Sequence, residues 1–200
     1  LRFDSTVHIR SIDVAPAAAI PDGWSFLAWL NDEIRERQPW KITIAEDLQR
    51  DPSLVEPTDE GGAGFRAQWD GGFIGGVRPA LVASDDASRD LAAVADAITG
   101  EGRGAPLTRV IYTESHDEVA NGLTRVPEAI APGDADNWFA KKRAALGSAL
   151  VLTSPGIPML FQGQELLEDR WFDDTIALDW AKSAENDGIL RAHRDLIALR

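Results

Sequence analysis

Five short apolar runs, each followed by a polar loop and then a helical stretch, set the narrowest limits on how this chain folds. The runs cover residues 1–4, 40–45, 65–69, 110–112 and 157–161. Helical periodicity covers residues 23–37, where Trp24, Leu27, Leu30 and Ile34 share one face and Pro39 stops the run. It returns over 73–83, 87–99, 137–153 and 186–199, with a glycine-rich break at 100–104. Strand alternating with helix predicts an α/β fold, a parallel sheet covered by its crossover helices. Two architectures take such units: an open doubly wound sheet, or part of a (β/α)8 barrel. Asp4, Glu46, Asp117 and Glu165 each stand at or just past the C-terminal end of a run. In a barrel those ends meet on one rim, where barrel enzymes place their chemistry. No Gly-x-Gly-x-x-Gly turn and no phosphate-binding loop is present, which weighs against a nucleotide-binding sheet.

Composition narrows the partners. The 200 residues are 44% hydrophobic, enough for a packed core, and are expected to form one domain part, residues 1–200. A net charge of −13 opposes binding to nucleic acid phosphates and to an anionic membrane surface. No segment approaches the ~18 consecutive apolar residues that span a bilayer, and no signal peptide is visible. A cytoplasmic location is expected. With no cysteine there is no disulfide, no thiolate metal site and no Cys nucleophile. His8, His116 and His193 are too scattered for a zinc motif, and no metal or cofactor is expected. Seven Trp suit a carbohydrate binder, because sugar rings stack on indole faces. Trp24, Trp29 and Trp40 read as core; Trp171 and Trp180, in loops, are placed to stack on sugar.

The carboxylates suggest a reaction. Arg2 and Asp4 alternate along a strand and so point the same way, which sets a cation beside an acid that must stay ionised to act as a nucleophile. Glu46 ends the apolar run Ile42-Thr43-Ile44-Ala45, and an apolar wall favours the protonated form that a general acid needs. Asp117 follows His116 at the end of a further strand. One ionised and one protonated carboxyl is the pattern of retaining glycoside chemistry, with the two groups roughly 5–5.5 Å apart. The plainer alternative is that each acid caps a helix or pairs with an arginine.

Three segments resemble motifs of the alpha-amylase superfamily. Leu1-Arg2-Phe3-Asp4 is similar to its nucleophile motif, Thr43-Ile44-Ala45-Glu46-Asp47 to its acid/base motif, and Tyr112-Thr113-Glu114-Ser115-His116-Asp117 to its third carboxylate motif. Gly61-Gly62-Ala63-Gly64-Phe65, Met159-Leu160-Phe161-Gln162-Gly163-Gln164-Glu165 and Leu178-Asp179-Trp180 resemble the wording of glucan branching enzymes. The resemblance implies a partial (β/α)8 TIM barrel, about strands 4 to 8, with the first three units expected upstream of Leu1. It implies that Asp4 attacks the anomeric carbon, Glu46 serves as acid and then base, and Asp117 steadies the transition state. Arg2, His116 and His8 are then substrate-site residues. The implied substrate is an α-1,4-glucan and the implied reaction is transfer to a 6-hydroxyl. A hydrolase with the same machinery, of amylase or trehalose-releasing type, is the alternative; a non-catalytic barrel scaffold fits less well with all three carboxylates present.

Overall fold

Strands follow one another across the sheet in the order in which they occur in the chain. The computed structural model describes residues 1–13, 18–100, 105–120 and 122–200. Its strands are β1 (Arg2–Phe3), β2 (Ile44–Ala45), β3 (Ala67–Trp69), β4 (Arg109–Ile111) and β5 (Ile157–Pro158), in the order β1-β2-β3-β4-β5. From β1 to β4 the neighbours are parallel, with Arg2 opposite Ile44, Ile44 opposite Ala67 and Gln68 opposite Arg109. The helices are α1 (Thr6–Arg10), α2 (Pro21–Arg37), α3 (Gly71–Val82), α4 (Leu91–Thr99), α5 (His116–Val119), α6 (Val126–Ile130), α7 (Trp138–Thr153), α8 (Lys182–Glu185) and α9 (Asp187–Leu199). Sequential order with helical crossovers is the pattern of a barrel wall rather than of a sheet that reverses at a switch point.

The chain divides into two compact units, Leu1–Gly72 with Gly100–Val110, and Phe73–Thr99 with Ile111–Arg200. In the first, Leu27, Ala45, Leu54, Ala63 and Phe65 are buried together, and Phe3, Ile9 and Trp24 pack against them. Phe3 and Phe65 meet edge to face at 5.4 Å. Of the helical face expected from Trp24, Leu27, Leu30 and Ile34, Leu27 is buried and Trp24 packs against this core, while Leu30 and Ile34 are half-buried; buried Asn31 joins it by donating to the carbonyls of Leu27 and Ala63. Trp29 and Trp40, expected in the core, are instead 56% and 72% exposed. Trp29 lies two residues past Leu27, about 200° around the helix, so burying one exposes the other. Trp40 sits in the turn before β2.

In the second unit Phe73, Val77 and Leu81, one α3 stripe, meet Ala97 of α4, Ile111 of β4, Val126 of α6 and Ala144 and Val151 of α7. Gly76 lets α3 approach α4: a β-carbon there would lie 2.5 Å from the Ala93 carbonyl oxygen.

The expected strands are present but shorter. Residues 40–45 enter the sheet only at Ile44, since Trp40 and Ile42 are exposed. The helix expected from residue 87 begins at Leu91, after a single turn, Asp86–Ser88, capped by Asp85. The expected break at 100–104 falls, beyond Gly100, outside the described residues.

Candidate active site

In the first unit, Arg2 of β1 holds two carboxylates at once. Its Nη2 donates to Asp4 Oδ1 at 2.6 Å and its Nη1 to Glu46 Oε2 at 3.0 Å. A planar guanidinium with several fixed donors can bridge in this way; an ammonium cannot do so with the same geometry. The sheet register makes the bridge, because Arg2 pairs with Ile44 and Glu46 stands just past the end of β2. Asp4 is exposed, while the Glu46 side chain is mostly buried. The wall of Glu46 is therefore more polar than its apolar approach implies. Its Oε2 also accepts the Ser5 N–H at 2.7 Å. Ser5 has φ +49, a left-handed conformation that is costly for a residue with a side chain. That conformation turns the chain directly after Asp4 into α1. His8 lies on the exposed side of α1.

Further ion pairs lock this rim. Arg10 donates to buried Asp47 at 2.8 Å and pairs with Asp51 at 3.1 Å, tying α1 to the loop after β2. Beneath, the Arg109–Asp70 pair is buried at 2.6 Å, and Arg2 also lies over the Trp69 ring at 4.9 Å. Nothing in the local pattern of residues marks Arg10 or Arg109 for these roles, since their partners stand 37 and 39 positions away.

In the second unit, His116 and Asp117 open α5, with His116 Nε2 3.4 Å from Asp117 Oδ1. Ser115 caps the helix by accepting the Asp117 N–H at 3.1 Å. Three charged groups hold this turn, Glu114 and Arg125 buried and Arg78 half-buried; nothing in the sequence marks either arginine for this role. Glu114 accepts the Val126 N–H and pairs with Arg125 at 3.4 Å. Burial pushes the Glu114 carboxyl above its ordinary range, against the pull of Arg125, Val126 N–H and Arg78. Arg78 of α3 donates to the carbonyl of Glu118 within α5 and to those of Thr113 before it and Thr124 after it. Burial lowers its guanidinium's affinity for the proton, opposed by the charges of Glu114 and Glu118. Arg125 donates to the carbonyls of Gln162 and Arg170 and lies over the Phe161 ring at 4.7 Å.

Past β5, Glu168 gathers donors from Arg170 and from the N–H groups of Asp169, Arg170 and Asp179. Burial alone would raise its carboxyl, but these donors and the Arg170 charge outweigh it and hold it at about 2. Glu165 lies in the single turn Gln164–Leu166, half-buried, and Gln164 bonds to Thr113 Oγ1 at 2.8 Å. His193 is buried on α9, bonded to the Ile189 carbonyl at 2.9 Å.

No protein-family model matches the chain. Among curated proteins it is 30% identical to the 1,4-alpha-glucan branching enzyme GlgB of Paramagnetospirillum magneticum, over 98% of this chain and 27% of that protein. It is 32% identical to the enzyme of the same name from Bacillus subtilis, over 80% of this chain and 25% of the relative. The chain belongs to the alpha-amylase superfamily. It spans about a quarter of the length of these relatives. Among solved structures it resembles a pullulanase from Anoxybacillus sp. LM18-11 complexed with maltotetraose, with a TM-score of 0.66 and 23% identity over 88% of this chain and 28% of that one. It also resembles a debranching enzyme from Nostoc punctiforme, with a TM-score of 0.63 and 20% identity over 90% and 36%. At these identities the likeness speaks for the fold: this superfamily chain is part of a (β/α)8 barrel. Among the described residues no helix is long and apolar enough to cross a membrane.

Proposed function

We propose that this chain is the C-terminal part of a cytoplasmic catalytic barrel that breaks an α-1,4-glucosidic bond with retention and rejoins the freed segment as an α-1,6 branch. One observation carries the reading: a single guanidinium bridges Asp4 and Glu46. The bridge keeps an attacking and a proton-donating carboxyl side by side, as double displacement requires.

In the first step an Asp4 oxygen bonds to the anomeric carbon as the bond to the glycosidic oxygen breaks. Glu46 gives its proton to that oxygen. Asp117 accepts hydrogen bonds from sugar hydroxyls and stabilises the positive charge that develops on the ring, with His116 beside it. In the second step the deprotonated Glu46 takes a proton from an incoming 6-hydroxyl, whose oxygen displaces Asp4. Transfer rather than hydrolysis is supported by the names of the relatives above and requires that water be kept from the intermediate. The loops over residues 49–64 and 122–136 are our choice for that task. An enzyme that combines this chain with the upstream barrel units, given linear amylose, should form new α-1,6 links with few new reducing ends. A steady rise in reducing ends without branches would replace the transferase by a hydrolase.

A further inference from the structure

Within the first unit, a pocket of about 500 Å³ opens at the N-terminal ends of β2 and β3, the ends away from Asp4 and Glu46. Thr43 stands directly before β2 and Arg66 directly before β3, while Asn31, Ile34 and Arg35 reach it from the last turns of α2. Thr43 and Glu46 are three residues apart, so roughly 10 Å of extended chain separates the pocket from that carboxyl. In barrel enzymes the chemistry stays at the C-terminal ends of the strands. A pocket at the other end is a place to bind rather than to react.

The charge around the pocket runs against that of the chain. Acids outnumber bases 33 to 20 overall, yet Arg35, Lys41 and Arg66 all line the pocket and no acid does. One exposed cation is ordinary on a surface; three around one hollow, with no acid among them, form a local positive field inside an acidic chain. Lys41 and Arg66 have no acidic partner among the described residues. Arg35 pairs with Asp32 at 3.1 Å, and Asp32 is further engaged by the Thr58 hydroxyl at 2.8 Å. The Arg35 guanidinium also lies close over Gly64, where a β-carbon would stand 2.9 Å from its Nη2. It is thus held in place with most of its five N–H donors unused. Thr43 is a second, independent sign of a ligand. It is 6% exposed and lines the pocket, and its hydroxyl has no hydrogen-bond partner among the described residues. Buried hydroxyls ordinarily have one. Half-buried Ile34 and Val55 and the exposed Ile42 supply an apolar wall beside these donors. Guanidinium forks match phosphate oxygens, an ammonium adds a point charge, and three cations suit a doubly charged group better than a single carboxylate. The apolar wall suits an organic portion attached to it.

We propose that this pocket binds a small phosphomonoester, with Arg35, Lys41 and Arg66 around the phosphate, the Thr43 hydroxyl donating to it, and the organic part against Ile34, Ile42 and Val55. The site shares no residue with the Arg2, Asp4 and Glu46 cluster, so it stands or falls apart from the glucan reading. Calorimetric titration of phenyl phosphate into the complete protein tests it. Phenyl phosphate should bind, inorganic phosphate should bind at least about tenfold more weakly, and phenol should not bind. R66A should raise the dissociation constant about tenfold and the double variant K41A/R66A about a hundredfold. Both side chains are exposed, so their loss leaves the fold intact. T43V, which keeps the shape and loses the hydroxyl, should weaken binding about fivefold, and T43S should restore it. Arg37→Ala, on an exposed cation of α2 that pairs with Glu33 outside the pocket, should change nothing. No binding of phenyl phosphate, or a dissociation constant that K41A/R66A leaves unchanged, overturns the site. Inorganic phosphate binding as tightly as phenyl phosphate overturns the ester, because the apolar wall then contributes nothing.

Discussion

The Arg2 bridge is the most exacting feature at the scale of single residues. It draws its force from geometry: two hydrogen bonds in different directions, from one rigid group, to side chains 44 and 2 positions away. Replacing Arg2 by Lys keeps the charge but loses the fork. The expected result is a fall in kcat of at least ~10-fold, with glucan binding in the Asp4→Ala background little changed. Glu46→Gln tests the partner. It should lower turnover of amylose by ~10²–10⁴-fold, as loss of an acid/base does. A glucosyl substrate with a good leaving group needs no proton from Glu46, so its first step should be slowed far less. Equal losses on both substrates would reject Glu46 as the acid.

At the scale of elements, α3 offers a paired test of packing against propensity. Gly75 has nothing within 4 Å of where a β-carbon would stand, so Gly75→Ala should stabilise by roughly 0.5–1 kcal/mol through helix propensity alone. Gly76 faces the Ala93 carbonyl at 2.5 Å, so Gly76→Ala must push α3 from α4. It should destabilise by ~1–3 kcal/mol despite the same propensity gain. Urea unfolding of both variants decides it; two stabilised proteins would mean that the helices give way without cost. These elements also show what a sequence can and cannot say. The long helices α2 and α9 were legible because apolar residues recur on one side over several turns, and α7 because Asn137 and Pro155-Gly156 mark its two ends. The nearness of Asp4 and Glu46 was legible because each stands in a short motif at the end of a neighbouring strand. The helices α1, α5 and α6 span 5, 4 and 5 residues, too short for a period to emerge. The strands were read too long because an apolar run does not reveal where its hydrogen-bonded neighbour stops. Arg78 and Arg125 were invisible for a different reason, and Glu114, though it stands in the third motif, gave no sign of its partners. Arginine and glutamate are ordinarily surface residues, and only the folded chain puts the carbonyls of Thr113, Glu118 and Thr124 around Arg78. Arg78→Met would leave those carbonyls and Glu114 without its donors and charge, a loss of ~2–4 kcal/mol, which Arg78→Lys should recover in part.

For the molecule as a whole, 33 acidic residues against 20 basic ones make the response to acid the most telling measurement. Most of the excess charge repels itself, so mild acid relieves a strain that neutral solution maintains. Two buried carboxyls act with opposite signs on that background. Glu114 is raised in the folded state, so the folded chain holds its proton more tightly than the unfolded one; its contribution favours folding at low pH and is lost as pH rises through its folded value. Glu168 is lowered from 4.5 to about 2, so the unfolded chain binds that proton more tightly. Its contribution is fully present above about 4.5 and disappears as pH falls toward about 2. The loop it closes reaches from the Gly163 carbonyl, which accepts the Glu168 N–H, to Asp179, and carries Trp171. Loss of the Glu168 charge in acid therefore loosens this loop along with the fold. Glu168→Gln removes the charge at every pH. Denaturant unfolding of the intact protein across the acid range should show a stability gap between wild type and variant on the order of 1–3 kcal/mol above pH 4.5. The gap should shrink steadily below that pH. A gap that stays constant between pH 6 and 2 would mean that Glu168 is held by shape alone and not by its charge.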